Sequence, residues 1–200
     1  PKPEDAAGAA ERLITEEKVP LIMGSYSSGI AMPASEVANR YRIPYWETGA
    51  ATGELTERGF QYLFRTAGSN GRPENSAVQF EFLTQVVAPA LGKEPSELRI
   101  AFLYENSSFG SSAYTAFVDN LPKFGLQLTA EESYVATTSD LSSAIQNFKA
   151  ANVDVVITAS YVNDSILFLR QSQELGFNPP LIIGGGAGFT TRDIAQAVGS

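Results

Sequence analysis

LIMGSYSSGIAMPASEVANRYRIPYWETGAATGELT, residues 21–56, decides the fold. An apolar run (Leu21, Ile22, Met23) stops at Gly24, and a small polar loop, Ser25-Tyr26-Ser27-Ser28-Gly29, leads into a helical segment that reaches Tyr41. A second short strand, Ile43–Trp46, runs into another loop of small residues, Thr48-Gly49-Ala50-Ala51-Thr52. Strand, polar loop, helix, strand, polar loop is the order of a parallel α/β sheet. Ligands of such sheets sit beyond the carboxyl ends of the strands, where both loops fall. Ser27 and Ser28 also stand at a helix N-terminus, where free N–H groups and the macrodipole favour an anionic group. The stretch is therefore expected to hold the carboxylate, or a similar polar head, of a small molecule.

Outward from this stretch the same grammar continues. Residues 4–17 set Ala7, Ala10, Leu13 and Ile14 at helical spacing, and a strand over Val19–Met23 follows. Pro33-Ala34-Ser35-Glu36 begins or bends the next helix, and Gly59–Arg65 alternates like a strand with one wet face. Ala67-Gly68-Ser69-Asn70-Gly71-Arg72-Pro73 can continue neither element and marks a crossing between domains. A helix is expected from about Glu74 to Leu91, with Val78, Phe82, Val86 and Val87 facing a core. The second half repeats one unit. Its strands are expected at Arg99–Tyr104, Leu126–Tyr134, Val153–Thr158 and Leu181–Ile183. The intervening helices run over Gly110–Phe124, from Ser139 or Asp140 to Ala150, and over Ser165–Leu175, with a short one at Thr191–Ala197. Gly125 and Gly176 are expected to stop two of them. The near-continuous apolar strands call for helices on both faces: a doubly wound α/β fold.

Two hundred residues, 44% hydrophobic and 18% charged, make an ordinary globular composition long enough for one large or two small domains. A net charge of −8 argues against nucleic acid or an anionic membrane surface as partner. With neither cysteine nor histidine, disulfides, thiolate metal sites and every scheme that needs imidazole are excluded. An Ala-rich helix opens the chain at once and Val198-Gly199-Ser200 follows another directly, so the sequence reads as a portion of a longer protein.

Enzyme signatures fail one by one. No GxxxxGK[ST] is present, and Phe189 breaks the GxGxxG spacing after Gly184-Gly185-Gly186-Ala187-Gly188. No GxSxG elbow exists, and the acidic residues show neither a tight pair nor a metal-loop spacing. No cofactor or metal is expected. Two N-glycosylation sequons, at Asn106 and Asn163, sit where a glycan would plug the ligand crevice and read as chance matches.

A serine pair before a helix is ordinarily a cap. What raises Ser25–Ser28 above that reading is company: Thr48–Thr52, Ser107–Phe109, Ser160–Tyr161 and Gly184–Ala187 are also strand-end loops with small, hydroxyl or aromatic residues. By the carboxyl-end rule they converge on one crevice. Phe109 and Tyr161 fit a core as well as a site, and Tyr26 and Trp46 read as partly structural.

The pattern G-x-x-x-S-S…P-A-S, followed by I-P-Y-W-E-x-G-A-x-x-x-x-L-T-x-R-G-F-x-Y-x-F-R-T, resembles the type I periplasmic binding proteins. It is most similar to those serving branched-chain amino acid and amide ABC importers, and L-R-I-A-F-L-Y-E-N-S-S-F-G and V-D-V-V-I-T-A-S-Y fit the same group. The resemblance implies a two-lobed fold of doubly wound parallel sheets that encloses a ligand by hinge closure. Residues 1–68 would be part of lobe 1, 69–72 an interlobe crossing and 73–200 most of lobe 2. It further implies an extracytoplasmic protein, periplasmic or a membrane-anchored lipoprotein whose signal sequence is not in this chain. Its partners would be a small amino acid, amide or organic or aromatic acid and an importer permease. A receptor ectodomain of the same fold is the alternative; an enzyme fits least.

Carried over by position, Ser28 matches the hydroxyl that holds an α-carboxylate, with Tyr26 and Ser27 beside it. Thr48, Gly49, Ala50, Ala51 and Thr52 match the loop of backbone and threonine contacts. Asn70 stands where some relatives carry Asp, and Phe109 and Tyr161 match aromatic positions closing over the ligand. One departure stands out. Where amino-acid binders place a Glu for the ammonium, this chain has Gly184-Gly185-Gly186, leaving Gly186 neutral and room for something larger. A buried ammonium without a carboxylate costs several kcal/mol, so an amine-free acid or an amide is expected unless Glu47, Glu105 or Asp164 substitutes.

Overall fold

The computed structural model describes residues 2–70 and 73–198. The chain divides into two compact units, Pro1–Asn75 with Ser107–Ala113, and Ser76–Asn106 with Tyr114–Ser200. Of the expected crossing at 69–72, Gly71 and Arg72 lie outside the described residues.

The first unit runs α1 (Pro3–Thr15), β1 (Ile22–Met23), α2 (Ser28–Arg40), β2 (Tyr45–Glu47), a 3-10 turn (Gly53–Thr56) and β3 (Leu63–Arg65). All three strands are parallel, in the order β1-β2-β3. Helix α1 carries Glu4 and Asp5 in its first turn and Arg12 in its last, as the helix dipole favours. Its small residues Ala6 and Ala10 let it pack with α2 over Ile22 and Tyr45 on one face of the sheet. The opposite face carries Met23, Trp46 and Phe64, in register across the strands and all exposed. Trp46, read from the sequence as partly structural, is 40% exposed on this face and stacks on Phe64. Strand β3 is shorter than its alternation suggests. The Gln61 and Tyr62 N–H groups donate to the Asn39 side chain (3.1 and 3.2 Å), which ends the regular strand.

The chain continues through α3 (Pro73–Phe82), a π turn (Leu83–Val87), α4 (Ala88–Ala90) and a 3-10 turn (Pro95–Glu97) to β4 (Ile100–Glu105) and α5 (Ser108–Val118). After a 3-10 turn (Leu121–Phe124) come β5 (Leu128–Tyr134), α6 (Ser142–Ala150), β6 (Val155–Ala159), α7 (Val162–Glu174) and β7 (Leu181–Gly185). A 3-10 turn (Gly186–Phe189) and α8 (Arg192–Val198) close it. The four parallel strands are ordered β5-β4-β6-β7. Helices α6 and α7 pack Ile145, Phe148 and Phe168 on the face of Ala101, Leu103 and Val156. On the other face Phe102 meets Phe117 of α5, which stacks on Phe80 of α3. Helices on both faces make this unit doubly wound, and β6 is buried along its whole length.

Gly125 and Gly176 take the left-handed conformation (φ 66° and 60°) that ends the preceding turn and helix. The N-cap of α6 is Leu141, in place of the expected Ser139 or Asp140; Asp140 stands one residue earlier, and its Oδ1 accepts the Ser142 N–H at 2.9 Å. One expected face is turned away, except for Val87, which is buried as expected. Phe80 enters an aromatic stack with Phe117 and Phe124, which turns α3 so that Phe80, Leu83 and Val87 are buried while Val78, Phe82 and Val86 are exposed.

Candidate functional site

The site builds from β2 outward. Along this strand Tyr45 and Glu47 point to the covered face and Trp46 to the open one. A buried carboxylate needs donors, and Glu47 has them. Its Oε2 accepts the Ser25 N–H (2.7 Å), and its Oε1 accepts those of Thr48, Gly49 and Ala50 (2.8, 2.7 and 2.8 Å). Glu47 is wholly buried and joins the loop after β1 to the loop after β2. Burial pushes the neighbouring Tyr45 phenol up to about 12, with the Glu47 charge adding to it.

Gly49 makes the joint possible. A Cβ there would stand 2.9 Å from the Ser25 carbonyl oxygen and 3.1 Å from Tyr26 Cα, closer than backbone tolerates. Ser25 Oγ donates to the Ser27 carbonyl (3.0 Å), and Ser27 is the N-cap of α2 without a side-chain capping bond. Ser28, the first residue of α2, is 1% exposed, and its Oγ accepts the Thr52 N–H at 3.2 Å. The Ala51 carbonyl accepts the Asn70 N–H at 2.7 Å, and the Thr52 carbonyl accepts Arg65 Nη1 at 2.6 Å.

Two buried polar atoms in this cluster have no partner among the described residues: Thr52 Oγ1 and Asn70 Nδ2. Native interiors pair nearly all such groups, so an acceptor or donor belongs beside them. Ser28, Ala51, Thr52 and Asn70 are thus brought together. The Gly49 and Ala50 N–H groups are turned to Glu47, Thr48 is exposed, and Tyr26 is 57% exposed with its ring over Gly49. Phe109, half-buried at the start of α5, belongs to the segment Ser107–Ala113 that groups with this unit.

In the second unit a buried polar cluster lies at the carboxyl ends of β4, β5 and β6. Asp164 Oδ2 accepts both the Tyr134 hydroxyl and the Tyr161 N–H at 3.2 Å. Burial pushes the Asp164 carboxyl above the usual carboxylate range, against those two bonds, and burial likewise raises the Tyr134 phenol. Ser160 Oγ and Ser165 Oγ are 2.7 Å apart. Tyr161, half-buried, is the N-cap of α7. The glycines that end β7 and the one in the turn after it provide close approach in place of the expected room. Phe189 fills the Cβ space of Gly184, the Thr158 carbonyl lies 2.6 Å from that of Gly185, and the Ser160 carbonyl 2.6 Å from that of Gly188. Gly186 opens the 3-10 turn, and its surroundings lie outside what is described. Among the described residues no group of three metal-binding side chains exists, and no helix is long and apolar enough to cross a membrane.

A family model described as "Periplasmic binding protein" matches residues 1–200. The chain belongs to this family. It is 43% identical over 195 residues to Leu/Ile/Val-binding protein homolog 8 of Brucella abortus (strain 2308), covering 97% of this chain and 48% of that protein. The chain therefore spans about half the length of the curated relatives it matches. Among solved structures it is similar in fold to the leucine binding protein LivK of Thermotoga maritima, with a TM-score of 0.84 at 19% identity over 100% of this chain and 53% of that one. It is similar too to an ABC transporter solute binding protein of Rhodopseudomonas palustris BisB5 in complex with 3,4-dihydroxybenzoic acid. There the TM-score is 0.78 at 21% identity, over 93% of this chain and 48% of that one. The fold of this periplasmic binding protein is thus the type I fold that its motifs resemble.

Glu47 is the residue whose task the sequence reading missed. Offered there as a partner for a ligand ammonium, it is occupied by the backbone of its own two loops. The signal was available: Glu47 shares strand parity with Tyr45, and a carboxylate on a covered face must be met by donors.

Proposed function

We propose that this chain is part of the ligand-binding body of an extracytoplasmic solute-binding protein that delivers its solute to an ABC importer permease. Residues 1–68 are part of one lobe, 69–72 the crossing and 73–200 most of the other. The observation that carries the reading is the pair of buried side-chain atoms without a partner among the described residues, Thr52 Oγ1 and Asn70 Nδ2, on backbone tied to Ser28 and to Ala51. Each can donate a hydrogen bond, and together they suit the oxygen atoms of a carboxylate or amide. Phe109 and Tyr161 supply the aromatic contacts that the resemblance assigns them.

The solute class follows from charge. Glu47 has all its bonds within the protein, Asp164 is held by Tyr134 and Tyr161, and Asn70 and Gly186 are neutral. An ammonium group has no free carboxylate among these four residues, and they suit an amine-free acid or an amide better than a free amino acid; of the three carboxylates named from the sequence, Glu105, buried beside Asp164 and Tyr134, is the one left to serve an amine. The Rhodopseudomonas neighbour, with its bound 3,4-dihydroxybenzoic acid, supports the same direction; the Leu/Ile/Val name of the Brucella relative points the other way. A thermal-shift and calorimetric panel of L-leucine, aliphatic acids, amides and 3,4-dihydroxybenzoate tests it. A compound at 100 times its dissociation constant stabilises by about 2.7 kcal/mol. Stabilisation by acids or amides but not by leucine is expected. Leucine alone stabilising would overturn the solute class, and no response to any class would count against the binding reading itself.

A further inference from the structure

Successive backbone N–H groups that converge form a concave anion site, and the turn after β2 is one: Thr48, Gly49 and Ala50 all direct their N–H groups at Glu47 Oε1. The anion in this nest is the protein's own. Glu47 forms no ion pair among the described residues; four backbone N–H groups meet its charge, with the Tyr45 hydroxyl beside it. Its second oxygen reaches across to the Ser25 N–H, three residues before Ser28. The first reaches to within two residues of Thr52. Gly49, with no Cβ, lets the two loops close to that distance.

We infer that Glu47 is an internal anion that positions the polar-head site. It fixes Ser28 and Thr52 relative to one another, and it fills the nest so that a solute's carboxylate meets the side chains of Ser28, Thr52 and Asn70 in place of those three N–H groups. This deepens the reading under Proposed function and rests on it. Glu47 touches no solute; it acts through the loops it ties together. Two consequences separate it from a carboxylate that merely stabilises the strand end. The cost of losing Ser28 depends on whether Glu47 is present. A small carboxylate from solution can take the place of a deleted Glu47 side chain.

The test is made on the protein and its Glu47→Gln and Glu47→Ala variants. In the wild type, NMR couplings through hydrogen bonds from the amide nitrogens of Ser25, Thr48, Gly49 and Ala50 to the Glu47 carboxylate carbon are expected; this needs neither a variant nor a solute. In Glu47→Gln the amide proton signals move upfield and exchange faster, and formate restores their positions in Glu47→Ala. With 3,4-dihydroxybenzoate as probe, or whichever panel compound stabilises the wild type, affinity falls about tenfold or more in Glu47→Gln. Ser28→Ala then costs less in that background than in the wild type, a coupling read from a double-mutant cycle. Absent couplings, or amides unmoved in Glu47→Gln, overturn the assignment of the nest. Amides that move while affinity and the cost of Ser28→Ala stay unchanged reduce Glu47 to a stabilising residue and overturn its positioning role. If no panel compound binds the wild type, the solute-binding reading fails and the positioning of a polar-head site fails with it. The amide couplings still decide who occupies the nest.

Discussion

Ser28→Ala is the perturbation that separates a structural hydroxyl from a binding one. Ser28 Oγ accepts the Thr52 N–H at 3.2 Å in a position only 1% exposed. Without that oxygen the Thr52 N–H loses its acceptor in the interior, at a cost of about 1–3 kcal/mol. For a chain of this size each kcal/mol moves the melting temperature by about 2–4 °C, so a fall of roughly 2–12 °C is expected without any ligand. Binding should weaken in addition. Loss of a hydroxyl bond to a solute carboxylate is worth about 1.5–3 kcal/mol, or roughly ten- to 150-fold in affinity. Urea unfolding measures the first effect and calorimetric titration the second, with Ser28→Thr as a control that keeps the oxygen. An unchanged urea midpoint in Ser28→Ala would refute the bond to Thr52. Lost stability with unaltered affinity would leave the bond and remove Ser28 from the solute's contacts.

Thr52→Val should behave in the opposite way. Thr52 Oγ1 is buried without a partner, so the variant melts at or slightly above the wild-type temperature while affinity drops about tenfold; a stability loss like that of Ser28→Ala would show that the hydroxyl is already satisfied. Gly49→Ala places a Cβ 2.9 Å from the Ser25 carbonyl oxygen and should destabilise by about 1–3 kcal/mol, which a normal denaturation midpoint would contradict. The fourth prediction concerns acid. Burial raises the Asp154 carboxyl, but its bonds to Arg99 and Lys93 hold it down to about 2. A folded-state pKa below the unfolded value contributes stability that is present above about pH 4 and lost as pH falls through 2, here about 2 kcal/mol. Asp154→Asn should remove that stability at neutral pH and flatten the curve between pH 4 and 2. A wild-type acid slope retained in the variant would assign it to another group.

The order of strands and helices was legible because its punctuation is local. Gly24, Gly125 and Gly176 end elements, Asp140 stands just before α6 with its carboxylate on the Ser142 N–H, and β6 is buried from end to end. The outward face of α3 was not. Val78, Phe80, Phe82, Leu83, Val86 and Val87 leave no polar stripe to choose by, and the choice falls to the stack that Phe80 makes with residues far along the chain. At the site, Ser28 and Thr52 were legible as hydroxyls at strand ends. The direction of the N–H groups after β2 was not, since it depends on where a turn points its backbone. Glu47 therefore read as available for a ligand when it belongs to the fold.

Trp46 is the single tryptophan of the chain, and it sits on β2 immediately before Glu47, stacked on Phe64 and 40% exposed. Its emission is therefore a built-in spectroscopic label for the first sheet alone. Unfolding followed at this one indole can be compared with far-ultraviolet circular dichroism, which sums over every helix and strand. Coincident curves would mean that both units melt as one cooperative body. An indole transition that comes first would time the loss of the β2 scaffold before the rest of the chain gives way.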